Sequence, residues 1–177
     1  MNRRSALSRA LVAAALLVGH QAVFSQAAKD AFVIGGVVPL SGAYALLGTS
    51  MQKGVDLAIE QRGKVLSKPL RVLWEDSETK PQTSVQKANK LLAGGVSVLF
   101  GDGASGQTLA IMPVAEQRKV PLIVTTSAAD QITGANRNRY TFRTSNLGFM
   151  ETRMAAEYVK KAGIKSVYVV AVDQPVG

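Results

Sequence analysis

Short runs of apolar, β-branched residues alternate along this chain with longer segments whose apolar positions recur every three or four residues. Phe32–Val38 (FVIGGVV) is one such run, closed by Pro39, and reads as a first strand. From Thr49 onward Met51, Val55, Ala58 and Ile59 fall at helical spacing. Lys68-Pro69 opens a second strand, Leu70–Trp74, and the acidic loop Glu75-Asp76-Ser77-Glu78 follows it. The next helix, about Pro81 to Leu92, has proline near its first position and Gly94-Gly95 past its end, the expected asymmetry of helix termini. Val96–Phe100 is a third strand. Leu109, Met112 and Ala115 mark a third helix that stops before Val120-Pro121, and Pro113 inside it predicts a kink or a late start. Leu122–Val124 gives a fourth strand, Met150–Ala162 a helix, and Lys165–Val172 (KSVYVVAV) a fifth strand.

Strands alternating with amphipathic helices predict an α/β fold: an open, mostly parallel sheet with helices on both faces. Right-handed crossovers place every strand's C-terminal end on one edge of such a sheet. The loops Ser41–Leu47, Glu75–Thr79, Gly101–Gly106 and Thr125–Gln131 therefore gather there, where open α/β sheets hold their ligands. All four are rich in Ser, Thr, Gly or acid, although loops are polar in any protein. Ala128–Asn146 runs without helical periodicity, broken by the strand-like Tyr140–Thr144, and irregular stretches of that length are usually functional or part of a larger assembly.

The start of the chain does not share this rhythm. Arg3, Arg4 and Arg9 precede Ala10–Val18, an unbroken apolar run of nine, and Ser25-Gln26-Ala27 puts small residues at the −3 and −1 positions of a cleavage site. This is the pattern of a secretory signal peptide, residues 1–27, cut after about Ala27. Nine residues make about 14 Å of helix, too little for a hydrocarbon core of roughly 30 Å. Arg3-Arg4 keeps twin-arginine export open beside the general route, though Ala6 stands where that signal prefers a bulky apolar residue. Residues 28–177 are then expected to be an exported protein.

Composition narrows the chemistry. The 177 residues carry 21 Lys+Arg against 12 Asp+Glu, a net charge of +9. Removing the three arginines of the signal leaves 18 against 12, or +6, scattered singly and without aromatic interleaving, which argues against a nucleic-acid partner. There is no Cys, so disulfides, thiolate nucleophiles, cysteine metal sites and a lipid-modified cysteine are excluded. The single His is His20, inside the signal, so a Ser-His-Asp triad or a His-ligated metal has no imidazole in the mature chain. An enzyme is not expected, and no cofactor or metal is called for.

Gly101-Asp102-Gly103-Ala104-Ser105-Gly106 is a literal G-x-G-x-x-G between a strand and a helix. A dinucleotide site is disfavoured, because the motif follows the third strand rather than the first and no acid ends the next strand. Gln107 also breaks the pattern of a nucleophile elbow. Another reading needs no catalysis. At the N-terminus of the third helix, unpaired amides and the helix dipole favour an anion. Ser105 can donate its hydroxyl to a carboxylate while Gly103 and Gly106 let a ligand approach the backbone. Equally, Ser105 can be only a helix cap, stabilising by about 1 kcal/mol. Thr125-Thr126-Ser127 could reach the same ligand from the next strand end, or bond its own turn.

Ile34–Gly42 (IGGVVPLSG), Gly48 and Gly54-Val-Asp-Leu-Ala58 resemble the opening of the leucine/isoleucine/valine-binding-protein family, type I periplasmic binding proteins that serve ABC importers. The likeness continues through Trp74-Glu-Asp76, Lys90-Leu-Leu92, Val98–Gly101, Pro113–Glu116, Val120–Ile123, Phe142-Arg-Thr144 and Asp173–Gly177. The resemblance implies a periplasmic α/β lobe that holds an amino acid or related small carboxylate without chemistry, a membrane ABC permease as partner, and a second lobe closing on the ligand. Residues 28–177 would be a partial N-terminal lobe, its sheet edge left apolar and its solubility poor when expressed alone. Carried over residue by residue, the ligand contacts are Ser105 and Ala104 from the third loop, and Thr126, Ser127 and Ala128 from the fourth. Ala128 stands where amino-acid-binding members often have Thr, with Ser127 as a compensating hydroxyl, and Leu47 where they often have an aromatic ring. An extracytoplasmic ligand-sensing domain on the same fold is the alternative.

Overall fold

The computed structural model describes residues 30–171. The signal segment and cleavage site expected in residues 1–27, and Val172 of the fifth strand, lie outside the described residues. The elements are β1 (Phe32–Val38), α1 (Ala45–Arg62), β2 (Lys64–Val65), β3 (Lys68–Asp76), α2 (Pro81–Ala93), β4 (Val98–Gly101), α3 (Ser105–Arg118), β5 (Leu122–Val124), a 3-10 turn (Asp130–Ile132), β6 (Thr141–Arg143) and α4 (Gly148–Lys161). They build one six-stranded sheet, ordered β2-β3-β1-β4-β5-β6. Every pairing is parallel except the short antiparallel β2–β3.

Parallel register sorts the side chains onto two faces. Val33, Gly35 and Val37 of β1 share one face with Leu99, Leu122 and Val124, and α2 and α3 cover it. Ala88 and Leu91 of α2, Ile111, Met112 and Ala115 of α3, and Ile132 complete that buried core. β1 leads to β3 on one side and β3 back to β4 on the other, so right-handed crossovers put α1 on the opposite face. There Trp74 and Phe100 meet edge to face, ring centroids 5.2 Å apart. Gly36 lies between them, and a Cβ on it would come within 2.6 Å of Phe100 and 2.7 Å of Trp74.

Three expectations need correction. Residues 165–171 form no strand, and Tyr168, Val169 and Val170 are exposed; a strand requires a partner, and none pairs with this segment among the described residues. The strand-like Tyr140–Thr144 does supply a strand, β6, with Thr141 opposite Leu122. The first helix starts at Ala45, a turn earlier than Thr49, because Gly48 lets it press onto the backbone after β1: a Cβ there would lie 2.0 Å from the Pro39 carbonyl oxygen. α3 runs from Ser105 straight through Pro113, whose ring is exposed, so there is no late start. The β2–β3 hairpin turns on Leu66 and Ser67, both with positive φ, where no Asn-Gly signal announced it. α4 has no buried residue.

Candidate functional site

The parallel strands β1, β3, β4 and β5 deliver Pro39, Asp76, Gly101 and Thr125 to one edge, and the loops there are tied to each other. Asp76 Oδ1 accepts the amides of Leu40 (2.9 Å), Ser41 (3.2 Å) and Glu78 (2.8 Å), knitting the first loop to the second. Burial pushes its carboxyl up, but the Ser41 hydroxyl and those amides outweigh burial and hold Asp76 below the usual aspartate range.

Gly101–Ser105 is buried throughout. Gly101 adopts φ +122° and a Cβ on it would collide with the Val37 carbonyl oxygen at 1.9 Å; one on Gly103 would lie 2.7 Å from Pro39 Cγ and 3.4 Å from Leu47 Cδ2. Close packing against the end of β1 thus accounts for these two glycines without a nucleotide. The Asp102 side chain is fully buried. Its Oδ1 accepts Ser77 Oγ–H (3.2 Å) and the Gly103 amide, and its Oδ2 accepts Ser84 Oγ–H (2.9 Å). Burial pushes this carboxyl up to about 6, against the pull of those hydrogen bonds and with help from Asp76.

The helix cap position belongs to Ala104, which makes no side-chain capping bond; the Ala104 carbonyl accepts the Thr108 amide at 3.1 Å. Ser105 is the first helical residue, so its amide and those of Gly106 and Gln107 have no intrahelical acceptor. The Ser105 hydroxyl oxygen accepts the Ala129 amide at 3.2 Å and keeps its proton to donate. Ser105 is therefore not a cap but a tie between α3 and the loop after β5, an arrangement that spacing alone did not separate from capping.

Thr126 Oγ1 points back at the third loop, 3.3 Å from the Gly103 carbonyl oxygen, and 3.9 Å from Met51 Sδ of α1. Leu47, Met51, Gly103 and Thr126 therefore meet beside the α3 N-terminus. Ser127 turns inward: its Oγ lies 2.6 Å from Thr108 Oγ1 and donates to the Asp102 carbonyl oxygen at 3.0 Å, while the Asp102 amide donates to Thr108 Oγ1 at 3.2 Å. That ring is closed and leaves Ser127 no hydroxyl to offer outward. The Ala128 carbonyl already accepts the Gly148 amide (2.8 Å) and Arg143 Nη1 (3.2 Å). Arg143 also donates to the carbonyls of Asn146 and Ala129, fastening the start of α4 to this loop. Sequence reasoning missed Met51, Asp102 and Arg143 as site residues; a lone acid between glycines at a buried strand end was the available signal for Asp102. Among the described residues no cluster of acids or imidazoles could hold a metal ion, and no helix is long and apolar enough to cross a membrane.

The fold agrees with comparisons to known proteins. The family model described as periplasmic binding protein matches residues 31–177. A Leu/Ile/Val-binding protein homolog of Brucella abortus is 30% identical over 159 residues, covering 86% of this chain and 40% of that protein. Among solved structures, a solute-binding protein of an ABC transporter from Rhodopseudomonas palustris, in complex with 3,4-dihydroxybenzoic acid, superposes with a TM-score of 0.73 at 30% identity, over 77% of this chain and 38% of that one. A branched-chain amino acid transporter substrate-binding protein from Streptococcus pneumoniae, in complex with isoleucine, gives 0.69 at 26% identity, over 74% and 38%. The chain spans about 40% of the length of the curated relatives it matches. From its first strand onward, the chain belongs to the periplasmic binding protein family.

Proposed function

We propose that the protein is an exported solute-binding protein that captures a small carboxylate, an amino acid or an aromatic acid, in the periplasm for an ABC importer, without transforming it. The observation that carries this reading is the meeting of the α3 N-terminus with Ser105, Thr126, Leu47 and Met51 at the C-terminal edge of the sheet. Three helix-start amides and a hydroxyl proton offer hydrogen bonds to a carboxylate. Leu47 and Met51, with Ala128 in place of a hydroxyl, favour a ligand with an apolar body behind that carboxylate. Relatives crystallised with isoleucine and with dihydroxybenzoic acid support both ligand classes. The family's second lobe would form the other jaw, and residues 28–177 the N-terminal one.

Calorimetric titration of the full-length protein with amino acids, amides, urea and aromatic acids tests this; absence of heat with all of them refutes it. Ser105→Ala is expected to weaken carboxylate binding by about tenfold or more while leaving the fold intact, since a charge-assisted bond is worth about 1.5–3 kcal/mol. Unchanged affinity would restrict Ser105 to its bond with Ala129.

A further inference from the structure

The Asp102 carboxyl is an anion built into the underside of the loop that the proposed function gives to the ligand. It already holds the Gly103 amide, a further backbone donor of that loop. Its surroundings are also wired for two protonation states. Ser84 Oγ lies 2.9 Å from Asp102 Oδ2 and 3.0 Å from the Lys80 carbonyl oxygen, yet a hydroxyl has one proton. With Asp102 ionised, Ser84 donates to Oδ2. With Oδ2 protonated, the carboxyl donates to Ser84 and Ser84 donates to Lys80, so no buried group is orphaned in either state. Ser77 and Gly103 then share a neutral carbonyl oxygen, a weaker acceptor than a carboxylate.

We infer that Asp102 is a positioning residue whose protonation loosens the Gly103 amide from the protein's own carboxylate and frees it for the carboxylate of a ligand. Capture of an anion is thereby coupled to uptake of a proton. The surroundings set the sign. From β3, Asp76 disfavours a second negative charge. α2 presents the Ser84 hydroxyl and the turn before it the Ser77 hydroxyl to the carboxyl, while Thr108 of α3 and Ser127 after β5 bond the Asp102 amide and carbonyl, all uncharged. A ligand carboxylate arriving at the same loop adds a like charge, so it too favours the protonated form. Affinity for anions rises as pH falls toward 6.

The inference rests on the solute-binding reading, and two measurements separate their fates. In the full-length protein with glycine labelled by 15N, the Gly103 amide resonance is followed from roughly pH 5 to 8. A titrating shift in the wild type that disappears in Asp102→Asn is the expected result, and a flat Gly103 resonance in the wild type overturns the inference with no ligand needed. Isoleucine and 4-hydroxybenzoate are then titrated calorimetrically at both ends of that range, in buffers of different ionisation heat. The probe that binds is expected to do so roughly fivefold or more tightly at the acid end, with proton uptake, in the wild type alone. Equal pH dependence in wild type and Asp102→Asn overturns the inference. Failure of every carboxylate to bind at any pH removes the solute-binding reading, while the Gly103 resonance still decides whether Asp102 governs the loop.

Discussion

Asp102 should also set how the stability of the fold responds to pH. Its carboxyl is held up at about 6 in the folded protein, against 3.8 for an ordinary aspartate. The folded state therefore binds a proton that the unfolded chain has already released, and stability falls as pH rises between those values. Below the ordinary value both states are protonated and nothing is lost; above the folded value the loss is complete. At ~1.4 kcal/mol per pH unit, that gap amounts to about 3 kcal/mol of destabilisation at pH 7. Asp102→Asn removes the charge while keeping Oδ1 for Gly103 and Ser77 and a donor toward Ser84. Urea unfolding of both proteins at several pH values isolates the effect, because the carboxylates that stabilise with rising pH, such as Asp76, are common to both. The variant is expected to gain about 2.5 kcal/mol relative to the wild type between pH 4 and 7. A difference that stays constant over that range would refute the assignment of a raised carboxyl to this position.

Two further outcomes follow from packing and from the loop ties. Gly48→Ala sets a methyl 2.0 Å from the Pro39 carbonyl oxygen, and should lower stability by about 3 kcal/mol or more in a thermal melt; an unchanged melting temperature would mean that α1 does not press on that loop. Arg143→Met strips the hydrogen bonds to the Ala128, Ala129 and Asn146 carbonyls and should cost about 2–3 kcal/mol, with faster amide exchange at Gly148; full protection there would show that the start of α4 is held by other contacts.

The parts of the fold that periodicity could reach were legible because local pattern and tertiary environment agree. β1 and β5 match their expected bounds, and α2 differs by a residue, since β-branched runs and a Pro-to-Gly frame mark them whatever surrounds them. What pattern missed depends on partners distant in sequence. KSVYVVAV has all the local marks of a strand, yet a strand exists only where another offers its ladder. Thr141–Arg143, already strand-like in sequence, is a strand because β5 is beside it. In the site, chain order put Ser105 and Thr126 at one edge. Nothing local could reveal that Ser127 turns inward, that the Ala128 carbonyl is taken by Arg143, or that Asp102 lies buried against two serines from the preceding loop and helix.

The place of Trp74 gives the laboratory a label-free gauge. It is the chain's single tryptophan, its ring set edge-on against Phe100 beside Gly36 in the middle of the sheet. Its emission therefore reports from one known spot, and parting of the central strands must change the colour and anisotropy of that light. Two residues further on, Asp76 grips the first loop, so events at the strand ends have a short route to the same fluorophore.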